Sequence, residues 1–115
     1  MRRGEIRMVN LDPVRGAEAD KRRPGVIVSN DGANLTATRL GRGVLVVVPI
    51  TSNVERIYPF QVLLPAVSTA LPRDSKAQAE QVRAVSFERL GELLGQLPES
   101  LMLDIDQALR IHLDI

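Results

Sequence analysis

Three cations, Lys21, Arg22 and Arg23, stand directly ahead of Pro24 and the apolar run Val26-Ile27-Val28, and a hydroxyl pair, Thr51-Ser52, follows the apolar run ending in Pro49-Ile50. A guanidinium fork matches the oxygens of a phosphate, and a threonine hydroxyl can hold another. The residues that other hydrolytic chemistries need are missing. The chain has no cysteine, which excludes thiol catalysis and disulfides, and its one histidine, His112, sits at helical spacing near the end, where a packing or surface role is expected. A zinc site would have to be built from carboxylates alone, so no metal or other cofactor is expected. Gly41-Arg42-Gly43 lacks both the spacing and the lysine of a phosphate loop. What survives is chemistry in which the substrate brings its own nucleophile. RNA cleavage by the adjacent 2′-hydroxyl is such a reaction, because well-oriented intramolecular attack reaches effective molarities of about 10⁵ to 10⁸ M. The protein then has only to stabilise developing charge, and one well-aimed donor is worth roughly 3 to 4 kcal/mol.

The elements that must position these groups read as strands first and a helix last. In Glu5-Ile6-Arg7-Met8-Val9-Asn10-Leu11 two sets of side chains alternate until Asp12-Pro13 ends the run. Residues 14–23 read as a polar loop, and a second strand is expected over 24–30, with Pro24 at its start. The continuous apolar run 43–51 predicts the most buried strand, in which Pro49 marks an edge, a bulge or the strand's end. Further strands are expected at 58–65 and 79–86, the latter with Val82 on one face and Val85 on the other. From Pro98 onward Met102, Ile105, Leu109 and His112 or Leu113 recur at steps of three and four, which predicts an amphipathic helix. Several short strands followed by one helix argue for a small twisted barrel or half-open sheet with the helix over one face.

The length of 115 residues sets one folded domain, and 44% hydrophobic beside 25% charged residues is a soluble, globular balance. Met1-Arg2-Arg3 imitates the start of an export signal, but Glu5 and Arg7 interrupt the apolar stretch it would need, and no run approaches the roughly 20 residues of a membrane span. A cytoplasmic location away from membranes is the expectation. The net charge of +1 divides unevenly, +4 over residues 1–56 and −3 over the remainder. The first half thus suits an anionic partner, although scattered solvated arginines would give the same count.

The pieces Arg3-Gly4-Glu5-Ile6, Asp12-Pro13, Arg23-Pro24 with Val26-Ile27-Val28-Ser29 after it, Val48-Pro49-Ile50-Thr51-Ser52, residues 58–64 (YPFQVLL) and residues 80–86 (EQVRAVS) follow one another in register. Together they resemble the MazF/PemK/Kid family of toxin endoribonucleases over nearly the whole chain, and the stretch 29–43 (SNDGANLTATRLGRG) is similar to its mycobacterial branch. The resemblance implies a mainly β, SH3-like small barrel of the CcdB/PemK type with a terminal helix. It also implies a homodimer that cuts single-stranded RNA, whether messenger, ribosomal or transfer, at short sequences without metal, leaving a 2′,3′-cyclic phosphate and a 5′-hydroxyl, and a cognate antitoxin protein that blocks the groove. By position, the family's catalytic arginine falls on Arg23 and its threonine on Thr51. Arg22 is an auxiliary group, and Glu18, Lys21, Ser52, Glu80 and Gln81 are candidate RNA contacts.

The chain also departs from the family. Arg7 stands where a tryptophan is usual, and Ala17, Gln78 and Glu80 stand where some relatives carry histidine, arginine and aspartate. Gly25 replaces a small side chain beside Arg23, an opening for a phosphate to approach the backbone. Two rivals remain. One is a non-catalytic toxin of the same fold that blocks a protein target such as gyrase, and the other is a passive RNA-binding module, for which Tyr58, Phe60 and Phe87 are few stacking aromatics.

Overall fold

The computed structural model describes residues 1–12, 15–18 and 21–115, so Pro13 of the expected turn and Val14, Ala19 and Asp20 of the expected loop lie outside the described residues. Seven strands, β1 (Glu5–Asn10), β2 (Arg22–Ile27), β3 (Val44–Thr51), β4 (Gln61–Leu64), β5 (Ser75–Gln78), β6 (Arg83–Ser86) and β7 (Leu90–Gln96), pair antiparallel. The helices are α1 (Asp31–Leu40), a single turn α2 (Ala66–Thr69) and α3 (Glu99–Leu113). The path runs β4-β5-β3-β2-β1-β7, with β6 beside β5 along β3. This is the expected mainly β fold closed by a terminal helix.

The apolar run 43–51 becomes the central strand, because it alone pairs with three others. Its first half bonds β6 (Val44↔Ser86 to Val47↔Arg83) and its end bonds β5 (Ile50↔Ala77, Thr51↔Lys76), while β2 takes the other side. Pro49 therefore marks neither an edge nor the strand's end. It falls between the two ladders, where the missing N–H is not called for. Pro24 likewise sits inside β2 rather than at its start, since the strand begins at Arg22. At Pro24 the strand is paired on one side only, with Met8, because the ladder to β3 starts at Gly25.

Alternation along these strands feeds two cores. Ile6, Val26, Val48 and Ile50 point to one, closed by Met102, Ile105 and Ala108 of α3. Val9, Leu11, Ile27, Val47 and Val85 form the other. Helix α3 takes the expected face at Met102 and Ile105, but Pro98 caps it rather than opening it, and His112 and Leu113 are exposed. The stretch 79–86 is not one strand: a 3₁₀ turn over Ala79–Gln81 precedes β6, and Val82 and Val85 still divide between the two cores. Helix α1 starts on Asn30, whose side chain accepts the Ala33 N–H at 2.9 Å, and ends on left-handed Gly41 at φ 64°.

Candidate active site

Register brings the two chemically chosen stretches together. The β2/β3 pairs run Ile27↔Val47, Val26↔Val48 and Gly25↔Pro49, and the strand ends just beyond that last pair, carrying Arg23 and Thr51, line one cavity. The Arg23 backbone is also paired across to Val9 of β1, so a strand anchored on its far side holds the guanidinium's root. Thr51 is fixed in turn by its pairing with Lys76. The Lys76 amine is buried and donates to the Arg56 carbonyl at 2.7 Å, which ties down the chain beyond Thr51. The Thr51 hydroxyl oxygen accepts the Asn53 N–H at 3.3 Å and keeps its own hydrogen to donate.

A cavity of about 300 Å³ opens where these strand ends meet. Its cations are Lys21, Arg22, Arg23 and Arg73, its hydroxyls come from Thr51, Ser52 and Ser75, and Pro24, Ile50 and Pro72 give it apolar walls. No carboxylate and no histidine lines it among the described residues. Lys21 enters the site with a left-handed backbone, φ 64°. Its N–H donates to an Asp12 carboxylate oxygen at 2.8 Å and its carbonyl accepts the Leu11 N–H at 3.0 Å, which offsets the cost of that conformation.

Of the residues chosen from sequence, Lys21, Arg22, Arg23, Thr51 and Ser52 share this cavity, and Glu18, Glu80 and Gln81 do not line it. The Glu18 carboxylate accepts the Arg15 N–H at 2.6 Å, closing the loop on itself. Gln81 is a strut: its amide N–H donates to the Ala17 carbonyl at 3.0 Å and its amide oxygen accepts from Arg83 at 3.0 Å. One Glu80 oxygen accepts from Gln61 at 2.6 Å, and the other is buried with no partner among the described residues. Arg22 lines the cavity, yet its Nη2 lies 3.3 Å from where a Cβ on Gly91 would stand, so its guanidinium reaches towards β7. Gly25 opens no path for a phosphate, because it is buried and Val9 Cγ2 stands 3.1 Å from the place of its absent Cβ.

Arg7, the departure from the family, is not in the cavity. Its Nε pairs with Glu5 at 2.9 Å and its Nη1 donates to the Gly91 carbonyl at 3.2 Å, so it fastens β1 to β7. His112 stands beside Phe60, centroids 6.1 Å apart, and Phe60 stacks on Tyr58 at 5.3 Å. Tyr58 and Phe60 thus pack on one another. Sequence reasoning missed Arg73 and Ser75. The available signal was residues 72–75 (PRDS), a Pro-Arg turn directly before a strand, which parallels Arg23-Pro24.

Comparison with known proteins follows the same lines. The description "PemK-like, MazF-like toxin of type II toxin-antitoxin system" matches residues 2–113. The endoribonuclease MazF9 of Mycobacterium tuberculosis is 57% identical over 115 residues, covering 100% of this chain and 98% of that protein. The endoribonuclease MazF2 of Mycobacterium bovis is 37% identical over 114 residues, 98% of this chain and 96% of its own. Among solved structures, MazF from Deinococcus radiodurans superimposes with a TM-score of 0.83 at 26% identity, covering 100% and 97% of the two chains. An endoribonuclease in complex with its cognate antitoxin from a mycobacterial species shares the fold at a TM-score of 0.78 and 23% identity, covering 100% and 96%.

Proposed function

The chain belongs to the PemK-like, MazF-like toxins of type II toxin-antitoxin systems, and from that premise we propose that its cavity cleaves single-stranded RNA by attack of the RNA's own 2′-hydroxyl. The observation that carries this reading is a cavity with four cations and three hydroxyls whose described lining residues include no carboxylate or histidine. Such a lining can hold a phosphodiester and stabilise added negative charge, and its described residues supply neither the carboxylate nor the imidazole that most often serves as a general base or a metal ligand. Arg23 and Thr51 donate to the non-bridging oxygens of the scissile phosphate. Arg23 works as a fixed charge rather than an acid, since a guanidinium holds its proton too firmly to donate it. Lys21, Arg22 and Ser52 guide the flanking chain. The products are a 2′,3′-cyclic phosphate and a 5′-hydroxyl.

The partners follow from the same premise. Leu63 of β4 and Leu103 and Ile111 of α3 are exposed, which favours association with a second copy. Relatives solved with an antitoxin support a cognate antitoxin for this chain. No helix among the described residues is long and apolar enough to cross a membrane, and we place the toxin in the cytoplasm with its RNA substrates. The gyrase-blocking rival finds no support in relatives named endoribonucleases. Incubation of the purified protein with mixed RNA in EDTA should give fragments with cyclic-phosphate ends. Intact RNA at protein levels that still arrest growth would defeat the reading.

A further inference from the structure

Arg73 shares the cavity with Arg23, although 49 residues of chain separate them and it lies outside every stretch by which the sequence pointed to the site. Sheet order explains the meeting. β3 lies between β2 and β5, so the end of β3 that carries Thr51 has the end of β2 that carries Arg23 on one side and the turn that leads into β5 on the other. Neighbouring strands are about 4.8 Å apart, which sets the two flanking strands roughly 10 Å from each other. Two arginine side chains can close such a gap on one phosphate group.

The turn itself is fixed. The Ser75 hydroxyl donates to the Arg73 carbonyl at 3.1 Å. Asp74, the carboxylate nearest in sequence, accepts the Ala66 N–H at 2.9 Å and is thereby occupied at the start of α2. Arg73 makes no ion pair among the described residues. An arginine on a pinned turn, with its neighbouring carboxylate bound elsewhere, is poised for an anion.

We propose that Arg73 is a second catalytic arginine, which with Arg23 clamps the scissile phosphate from opposite sides of Thr51. This rests on the RNA-cleaving reading given above. In the step, the O2′–P bond forms as the P–O5′ bond breaks. The 2′-hydroxyl gives its proton to solvent water and the departing 5′-oxygen takes one from it, so the protons balance and neither guanidinium gives up its own. The phosphate passes through a state with one more negative charge than the bound diester carries, and a second fork aimed at its oxygens binds that state more tightly than the substrate.

The test is single-turnover cleavage of a short RNA by the full chain carrying Arg73→Ala, Arg73→Lys or Arg23→Ala, with thermal melts confirming the fold. Arg73→Ala should lower the saturated rate by about 10²- to 10³-fold with little change in half-saturating concentration. Arg73→Lys should recover only part of it, because an ammonium keeps the charge and loses the fork. An Arg73→Ala protein with a near wild-type saturated rate and only weaker, salt-sensitive binding would make Arg73 a rim charge and overturn the proposal. If Arg73→Ala fails to fold, Arg73→Lys decides it, since a wild-type rate with lysine removes the need for a fork. Failure of the wild-type chain to cleave any RNA would instead defeat the underlying reading, whereas loss with Arg23→Ala and none with Arg73→Ala would defeat this inference alone.

Discussion

Arginines occupy two regions of this molecule, and they do opposite work. On the β1 side, Arg3 pairs with Asp106 at 2.6 Å and Arg7 with Glu5 at 2.9 Å, and both also donate to backbone carbonyls, Val28 and Gly91. At the strand-end cavity Lys21, Arg22 and Arg73 make no ion pair among the described residues, and no carboxylate lines the space they share with Arg23. The difference lies in what the surrounding backbone delivers. Where a carboxylate is brought opposite, the guanidinium becomes a fastening between elements, and where the described strand ends and turns bring cations and hydroxyls together, Lys21, Arg22 and Arg73 face a shared cavity instead.

The comparison breaks most visibly at Arg23 and Thr51. Alanine at either should cost about 10²- to 10³-fold in cleavage rate while thermal melting stays near wild type, because both residues sit at the ends of ladders secured by their neighbours. Next comes the fastening region, where Glu5→Ala should destabilise the fold by about 1 to 3 kcal/mol. It leaves Arg7 without its partner in a site where the Glu5 side chain is only 10% exposed. Urea unfolding measures the loss, and cleavage per folded molecule should be unchanged. Arg22→Ala should be milder than Arg23→Ala, weakening binding and lowering the slope of log affinity against log salt by about one. A larger loss of rate at Arg22 than at Arg23 would reverse their roles.

The smallest effect concerns Asp31. The Arg3 N–H donates to its carboxylate at 2.6 Å, and this bond holds its pKa below the ordinary 3.8, helped by the Asn34 amide. A carboxyl lowered on folding stabilises the native state above the ordinary value and loses that contribution as pH falls through the lowered one. Asp31→Asn should therefore melt slightly below wild type at neutral pH, and the two should converge in acid.

Much of this was legible in the residues. β1 sends Ile6 and Val9 to different cores, β3 is one apolar run, and α3 repeats Met102 and Ile105 at helical steps. Helix α1 was not legible, because it buries only Asn34 and Ala37 and offers no apolar stripe. β7 was hidden for a related reason: its pairing with β1 shifts register twice, so burial along it does not alternate. The site divides the same way. Arg23 and Thr51 could be read because each is joined to a strand with its own signal. Arg73 offered only a Pro-Arg turn before a strand, because that turn reaches the cavity through the pairing of β5 with β3, a contact between distant segments. Arg22 was half legible, as its place in sequence gave the cavity wall but not the reach towards Gly91.

In the proposed mechanism the cavity supplies charge while the RNA supplies the nucleophile. The most direct measurement compares an RNA cut by the wild-type protein with the same strand carrying one 2′-deoxynucleotide on the 5′ side of the cut, at saturating protein in EDTA. Under this mechanism the substituted strand should bind with similar affinity and stay uncleaved, while the parent gives a 2′,3′-cyclic phosphate. Cleavage of the substituted strand would mean that water or a side chain attacks the phosphorus, and would contradict it.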